Sequence, residues 1–255
     1  CKDTMTRTAI VHTHPTPIAT FNVNDTSMCF ENNYFSFTNN SYITEGTVHF
    51  HWEFGDGDTS NLENPTYSYD TSSIFTVELT AISNWDCKAT MTQNLWVNPM
   101  PEAGYEINDT SQCLEGNSVE FTNRSSITSG LIYHDWDFGD GRFSNQKDPT
   151  HQYLSYDSFD VKLLVTSEFD CKDSTTKRLF IHPMPNMGFD IDDNTQCLSG
   201  NWFKFTNATT INDGSIDSFL WLTGDGNSGN TKNHSYAYTD HGNYNVTLKA
   251  YTDKG

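Results

Sequence analysis

The six cysteines are the most reactive side chains of this sequence, and their spacing is regular. Cys29, Cys113 and Cys197 lie 84 residues apart, while Cys87 and Cys171 each follow one of these positions by 58 residues. The sequence contains neither Cys-X-X-Cys pairs nor Cys/His clusters with the spacing of zinc ligands. This pattern indicates disulfide bonds and therefore an oxidising, extracellular compartment.

Carboxylate side chains offer a second kind of chemistry, the binding of calcium. They cluster at Asp109 and again at Asp192 and Asp193, and their oxygens are the ligands that Ca²⁺ takes. The calcium loop of helix-loop-helix proteins is missing, and solvent-exposed turns account for the same residues. Calcium at Asp109, Asp192 and Asp193 is therefore a hypothesis, and no other cofactor is predicted.

Catalysis has no comparable support in the sequence. The motifs of zinc proteases, serine hydrolases and phosphate-binding loops are absent. The net charge of −19, with only 14 Lys and Arg, disfavours nucleic acid and anionic membrane surfaces as partners, because both repel an acidic protein. No apolar run approaches the roughly 18 residues of a transmembrane helix. The sequence predicts a non-enzymatic segment with no nucleic-acid partner and no membrane insertion.

The elements that must position these residues recur with nearly the same period. The segment Trp52-Glu-Phe-Gly-Asp-Gly57 reappears at 136–141 and, altered to Trp-Leu-Thr-Gly-Asp-Gly, at 221–226. A fixed period of this size indicates an array of one small domain. We expect residues 1–16 to be the last strand of a preceding repeat, followed by repeats one to three. Their ranges are 17–100, 101–184 and 185–255, and repeat three lacks its last strand.

Each repeat alternates apolar and polar residues with the period of β-strands. Many such short segments, separated by Gly, Asn, Asp and Pro turns, predict a two-sheet β-sandwich. The clearest inward stripe is Phe75, Val77, Leu79 and Ala81 in repeat one, with Phe159, Val161, Leu163 and Val165, and then Tyr244, Val246, Leu248 and Ala250, as equivalents.

The Trp-X-X-Gly-Asp-Gly segment is predicted to be structural. Its tryptophan belongs to the core, its glycines permit positive φ, and its aspartate can bond backbone N–H groups of the turn. The altered third copy is expected to form a looser turn. The residues with this role are Trp52, Gly55, Asp56, Gly57, Trp136, Gly139, Asp140, Gly141, Trp221, Gly224, Asp225 and Gly226.

The motif Trp-Asp-Phe-Gly-Asp-Gly, followed by Asn-Pro-Thr-Tyr-Ser-Tyr or Asp-Pro-Thr-His-Gln-Tyr and then Phe-Asp-Val-Lys-Leu, resembles the PKD (polycystic kidney disease) domain. The resemblance covers nearly the whole chain, although Leu222 and Thr223 depart from the motif. It implies an all-β fold of tandem immunoglobulin-like β-sandwiches in a linear array. The added cysteine pattern is similar to PKD arrays in large secreted surface proteins of Bacteroidota, including gliding-type adhesins.

Two pairings of the cysteines stay open in this framework. One joins Cys29 to Cys87 and Cys113 to Cys171, within each repeat. The other joins Cys29 to Cys171 across a junction. It is considered because an immunoglobulin-like strand order puts the first cysteine and the last hairpin of one repeat at opposite ends, which separates Cys29 from Cys87. A sandwich is about 20–26 Å tall, whereas a disulfide needs Cα atoms within about 7 Å. Thiols that stay free or bond another molecule are a third possibility.

Four further side chains are expected to interact beyond their own repeat. Cys1 and Cys197 would pair outside residues 1–255 under either scheme. Trp85 and Phe169 each lie two residues before a cysteine, and we expect them to pack against the next repeat, with sugar binding as the alternative.

A mechanical role follows from this organisation. Pro-X-Pro segments lie at residues 15–17, 99–101 and 183–185. Sandwiches joined by such segments form semi-rigid arrays, because Pro favours extended geometry. We expect an extracellular stalk or filament of a cell-surface adhesin-like protein, whose partners are neighbouring repeats of the same or another copy. The alternatives are repeats that bind surface glycan or protein, a spacer of a secreted hydrolase, and a filament assembled by strand exchange.

Overall fold

The structure is a computed structural model that describes residues 1–5 and 11–254. All regular secondary structure of these residues is β, which confirms the all-β class. Within this described part, no helix has the length and hydrophobicity that a bilayer crossing requires.

The chain forms two compact units. The first contains repeat one together with two short segments of repeat two, and the second contains the rest of repeat two and repeat three. The first unit comprises Cys1–Glu102, Ser126–Tyr133 and Thr166–Asp173; the second comprises Ala103–Ser125, His134–Val165 and Ser174–Gly255.

Repeat one consists of eight strands in two sheets. The smaller sheet has the order β1-β3-β6 and the larger the order β2-β8-β7-β4-β5. Neighbouring strands are antiparallel except β2 and β8, which run parallel. The strands are β1 (Phe21–Val23), β2 (Ser27–Cys29), β3 (Phe35–Asn39), β4 (Val48–Glu53), β5 (Thr59–Ser60), β6 (Thr66–Tyr67), β7 (Ile74–Ser83) and β8 (Lys88–Asn98).

The core of repeat one lies between these sheets, because alternate residues of each strand face inward. Phe35 and Phe37 of β3 and Val77 and Leu79 of β7 are all buried. Trp52 of β4 is fully buried, with its ring centroid 5.3 Å from that of Phe37. The predicted inward stripe on β7 is therefore confirmed.

Repeat two has the same eight strands and the same two sheets, with the orders β14-β11-β9 and β10-β16-β15-β12-β13. Its core again centres on a buried tryptophan, Trp136, surrounded by the aromatic and aliphatic residues of both sheets. The strands are β9 (Tyr105–Ile107), β10 (Ser111–Cys113), β11 (Val119–Asn123), β12 (Ile132–Asp137), β13 (Phe143–Ser144), β14 (Thr150–His151), β15 (Asp157–Ser167) and β16 (Lys172–His182).

Repeat three has six strands in two three-stranded sheets, ordered β17-β18-β21 and β20-β19-β22. The given sequence ends before the equivalent of β8 and β16. The strands are β17 (Phe189–Ile191), β18 (Phe203–Asn207), β19 (Ile216–Leu222), β20 (Ser228–Gly229), β21 (His234–Tyr236) and β22 (Thr247–Thr252).

The inward stripe of repeat three differs from the prediction. Tyr244, Val246, Leu248 and Ala250 are only half-buried, and β22 begins at Thr247, after the first two of them. In repeat one, β8 pairs along the equivalent strand, and its Leu95 and Val97 belong to the same core as the stripe. An open groove of about 360 Å³ adjoins this stripe in repeat three.

The predicted last strand at residues 1–16 is not a strand in the described residues 1–5 and 11–16. Residues 6–10 lie outside the described residues. The equivalent strand β8 is held by ladders to both β2 and β7, and a strand needs such neighbours to satisfy its backbone hydrogen bonds. Among the described residues, the first strand-like contact is the isolated bridge between Ile18 and Tyr42.

Candidate functional site

The Gly-Asp-Gly turn follows β4 and packs closely on β7. Gly55 and Gly57 have φ values of 88° and 107°, the left-handed region that favours glycine. A Cβ at Gly55 would lie 2.7 Å from the Thr76 carbonyl oxygen, whereas nothing lies within 4 Å of one at Gly57. The predicted positive φ also occurs at Gly139, Gly141, Gly224 and Gly226.

The aspartate of the turn is bonded through both carboxylate oxygens. Asp56 Oδ1 accepts the Asp58 N–H at 3.1 Å, and Asp56 Oδ2 accepts the Tyr67 hydroxyl of β6 at 2.7 Å. Burial, together with the carboxylates of Asp56 and Asp58, raises the pKa of Tyr67, so the tyrosine stays a donor. In repeat two, Asp140 Oδ2 lies 2.8 Å from Nε2 of His151 in β14. The carboxylate thus ties the turn to the opposite sheet.

The three tryptophans of the repeated segment lie in the core, as predicted. Trp52, Trp136 and Trp221 are at most 1% exposed, and each indole N–H donates to a backbone carbonyl ten residues later at 2.9 Å. The Tyr69 hydroxyl donates to the Phe54 carbonyl at 2.8 Å, and burial raises the pKa of Tyr69. These polar atoms are therefore used within the sandwich.

The third copy forms a well-bonded turn. Thr223 is fully buried, and its hydroxyl lies 2.6 Å from Asp225 Oδ1 and 2.9 Å from the Asn227 carbonyl oxygen. Tyr236 donates to Asp225 Oδ2 at 2.7 Å. Hydrogen bonds, that of the Thr223 hydroxyl first, hold the pKa of Asp225 well below its usual range. The expectation of a looser turn is wrong, because hydrogen bonds replace the aromatic packing of the other copies.

Cys29 and Cys171 form a disulfide, named here the junction disulfide, with Cα atoms 5.6 Å apart and a sequence separation of 142. Both cysteines lie in the first compact unit. Cys29 ends β2 of repeat one, and Cys171 lies in the hairpin between β15 and β16 of repeat two. The structure therefore forms the second of the two predicted pairings, which links consecutive repeats and fits an extracellular protein.

The pairing within a repeat is not formed, and strand length explains why. Cys29 is the register partner of Asn98, the last residue of β8, while Cys87 directly precedes the first residue of that strand. The 11 residues of β8 span about 35 Å at about 3.3 Å each, far beyond the roughly 7 Å that a disulfide can bridge. Cys113 likewise pairs with the last residue of β16, the end away from its own hairpin.

The other predicted cysteines lie outside the junction disulfide. Among the described residues, Cys1, Cys87 and Cys197 form no disulfide; Cys1 and Cys197 are exposed and Cys87 is half-buried. Cys113 is half-buried at the end of β10.

Trp85 packs against the segment before repeat one, and not against the next repeat as expected. Its ring stacks on His14, with centroids 4.3 Å apart and planes 5° from parallel. The β7–β8 hairpin therefore lies on the side from which the chain enters the sandwich. Phe169, at the same position in repeat two, is 44% exposed.

The candidate calcium ligands accept hydrogen bonds from backbone N–H groups in this structure. Asp109 and Asp193 each accept a hydrogen bond from the backbone N–H two residues later, at 2.9 Å and 3.0 Å. Asp192 accepts the Lys204 N–H at 3.0 Å, which lowers the pKa of Asp192. In the described part of the chain, no three His, Cys, Asp or Glu side chains form a group able to hold a metal ion. Calcium stays a prediction.

Buried tryptophan, Gly-Asp-Gly turn and two-sheet core together define tandem immunoglobulin-like sandwiches. The chain belongs to the PKD domain family, which matches residues 14–98, 96–181 and 185–255. PKD domains are non-catalytic accessory domains. The chain is 28% identical over 159 residues to pre-pro-metalloprotease PrtV of Vibrio cholerae serotype O1 (strain M66-2), a match that covers 62% of this chain and 17% of that protein.

Two solved PKD domains are also similar to parts of the chain. The PKD1 domain of Vibrio anguillarum Epp is 27% identical with a TM-score of 0.31, over 34% of this chain and 99% of that one. The PKD1 domain of the Vibrio cholerae metalloprotease PrtV is 27% identical with a TM-score of 0.27, over 33% of this chain and 98% of that one.

Proposed function

We propose that this chain is a segment of an extracellular stalk in a cell-surface adhesin-like protein, in the manner of the gliding-type adhesins. The repeats hold a terminal domain away from the cell and carry tension between the two. The junction disulfide is the observation that carries this proposal. A covalent link between consecutive domains resists extension, whereas ligand recognition by a single domain has no need of it.

Charge supports the same role. The chain has 33 acidic residues against 14 basic ones, so neighbouring stalks repel each other and stay soluble. Each complete sandwich also has its own buried core, and can therefore bear load as a separate folded body. The partners in this role are neighbouring repeats.

A domain exchange in the producing cell tests the proposal. Residues 17–184 of the full-length protein are replaced by two unrelated sandwich domains of similar length, and surface display and cell attachment are measured. A stalk predicts attachment close to that of the parent when no shear is applied, because the exchange keeps the distance between the terminal domain and the cell. The matched control deletes residues 17–184 without replacement, and we expect it to be displayed but to attach poorly. A displayed exchange variant that fails to attach would show that the repeats bind the target themselves.

The resemblance to PrtV favours a second candidate, a spacer domain array attached to a secreted hydrolase. The match to that metalloprotease extends over 62% of this chain, about two repeats. Mass-spectrometric sequencing of the native polypeptide separates the candidates. Peptides of a protease domain in the same polypeptide support the spacer, whereas many further PKD repeats without one support the stalk.

The open groove of repeat three favours a third candidate, a filament assembled by strand exchange. A strand from another copy, residues 1–16 here, would pair beside the half-buried stripe at Val246 and Leu248 as β8 pairs beside the equivalent stripe of repeat one. Light scattering of the purified chain is expected to show concentration-dependent oligomers that deletion of residues 1–16 abolishes. A monomer at all concentrations would refute strand exchange.

A further inference from the structure

The hairpin that carries Cys87 has the same backbone as the hairpin that carries Cys171. Asp86 and Asp170, one residue before each cysteine, both have positive φ, of 61° and 62°. Each cysteine N–H donates to the hydroxyl of the serine four residues earlier, at 3.1 Å for Cys87 and 3.2 Å for Cys171. Cys171 is bonded in the junction disulfide. Cys87 therefore has the same backbone conformation as the hairpin cysteine that forms the junction disulfide.

A second observation indicates where the partner of Cys87 comes from. His14 stacks on Trp85 in the Cys87 hairpin, with ring centroids 4.3 Å apart. His14 directly precedes a Pro-X-Pro segment, as Asn98 at the end of β8 does. His14 thus has the place of the last residue of a preceding repeat, and that residue contacts the Cys87 hairpin.

In these repeats, the end of the last strand also positions the first cysteine. Cys29 is the register partner of Asn98 in the parallel pair β2–β8, and β10 pairs with β16 in the same way. A first cysteine that pairs likewise with His14 would lie about 5 Å from it, one strand spacing. Because His14 contacts the Cys87 hairpin, this cysteine would lie beside Cys87.

We propose that Cys87 forms a disulfide with the first cysteine of a further PKD repeat that precedes repeat one. The junction disulfide is then one of a series that recurs at each junction. Each repeat is bonded to the following repeat through its first cysteine and to the preceding repeat through its hairpin cysteine. Residues 29–87 belong to two closed loops at once, the loop that ends at Cys87 and the loop that begins at Cys29. This linkage holds equally for a stalk and for a hydrolase spacer.

Formation of the bond removes two protons and two electrons from two thiols. The oxidant is a protein or small-molecule disulfide of the extracytoplasmic compartment. One cysteine thiolate attacks it to give a mixed disulfide and releases one thiol. The thiolate of Cys87 then displaces the second oxidant thiolate, so the oxidant ends as two thiols and the protein gains one S–S bond.

Non-reducing peptide mapping of the native protein tests the proposal. Unbonded thiols are alkylated first, and the protein is cleaved before aspartate, which places Cys29, Cys87 and Cys171 on separate peptides, residues 25–55, 86–108 and 170–172. We expect peptide 86–108 to be linked to a peptide from outside residues 1–255 that carries the first cysteine of another repeat. The link between peptides 25–55 and 170–172 is the control within the same digest.

Two results would overturn the proposal. Cys87 could be alkylated before reduction, which would show that the hairpin takes no partner. Peptide 86–108 could instead be linked to a cysteine within residues 1–255, which would show that the hairpin takes a different one.

Discussion

Reduction of the junction disulfide is expected to lengthen the stretched chain by about 490 Å. When the chain is pulled from its two ends, the force passes through the bond between Cys29 and Cys171 and not through the backbone between them. The bond spans a sequence separation of 142 and holds Cα atoms 5.6 Å apart. At about 3.5 Å per extended residue, the loop between Cys29 and Cys171 contains about 490 Å of contour length that cannot extend while the disulfide is intact.

Single-molecule force spectroscopy measures this difference directly. The whole chain of 255 residues extends to about 890 Å at about 3.5 Å per residue, so the oxidised protein should reach about 400 Å. Addition of a reductant should release the contour length enclosed by the disulfide, so that the chain extends fully. The Cys171→Ala variant should extend fully without reductant.

The matched control is Cys87→Ala, which alters the same hairpin position in repeat one. We expect this variant to keep the short extension of the oxidised protein, since the junction disulfide is intact. Extension of the oxidised parent to the full length, or equal extension of the two variants, would refute the reasoning.

Four substitutions test the turn and the core by chemical or thermal unfolding. Gly57→Ala should cost about 1–2 kcal/mol, the penalty of left-handed geometry, and Gly55→Ala should cost more because its Cβ would lie 2.7 Å from the Thr76 carbonyl oxygen; equal losses would contradict the close approach. Trp52→Ala should destabilise the protein by about 3–5 kcal/mol, and a smaller loss would show that the indole is not central to the core. Asp225→Asn should lower the melting temperature above about pH 4, the unfolded pKa of Asp. Because the folded pKa of Asp225 is lowered, this difference should disappear as the pH falls through it, and a pH-independent difference would contradict the role of the charge.

The parts of the fold that depend on local chemistry could be predicted from the sequence. Alternation at Phe75 to Ala81 gave the inward stripe, because side chains of a strand point alternately to its two faces. The repeated motif also predicts the positive φ of its glycines and the hydrogen bonds of its aspartate, because both depend on residues only a few positions apart. The period then placed the same elements in repeat two.

Other features could not be derived this way. The departures from the motif at Leu222 and Thr223 predict a looser turn, but the buried Thr223 hydroxyl forms hydrogen bonds that no motif encodes. The sequence predicts that Trp85 packs against the next repeat, whereas its ring stacks on His14. Both outcomes depend on tertiary contacts between side chains, and sequence patterns do not show which segments come into contact.

The sequence by itself determined the building unit: a β-sandwich of about 84 residues, its core tryptophan, its turn and its family. Only the tertiary structure decided how the cysteines of successive units are joined. Spacing along the chain allowed Cys29 to pair with either Cys87 or Cys171. A disulfide forms only between cysteines whose Cα atoms lie a few ångströms apart. The length of β8 separates Cys29 from Cys87. Packing of the repeat-two hairpin in the first unit brings Cys171 to Cys29.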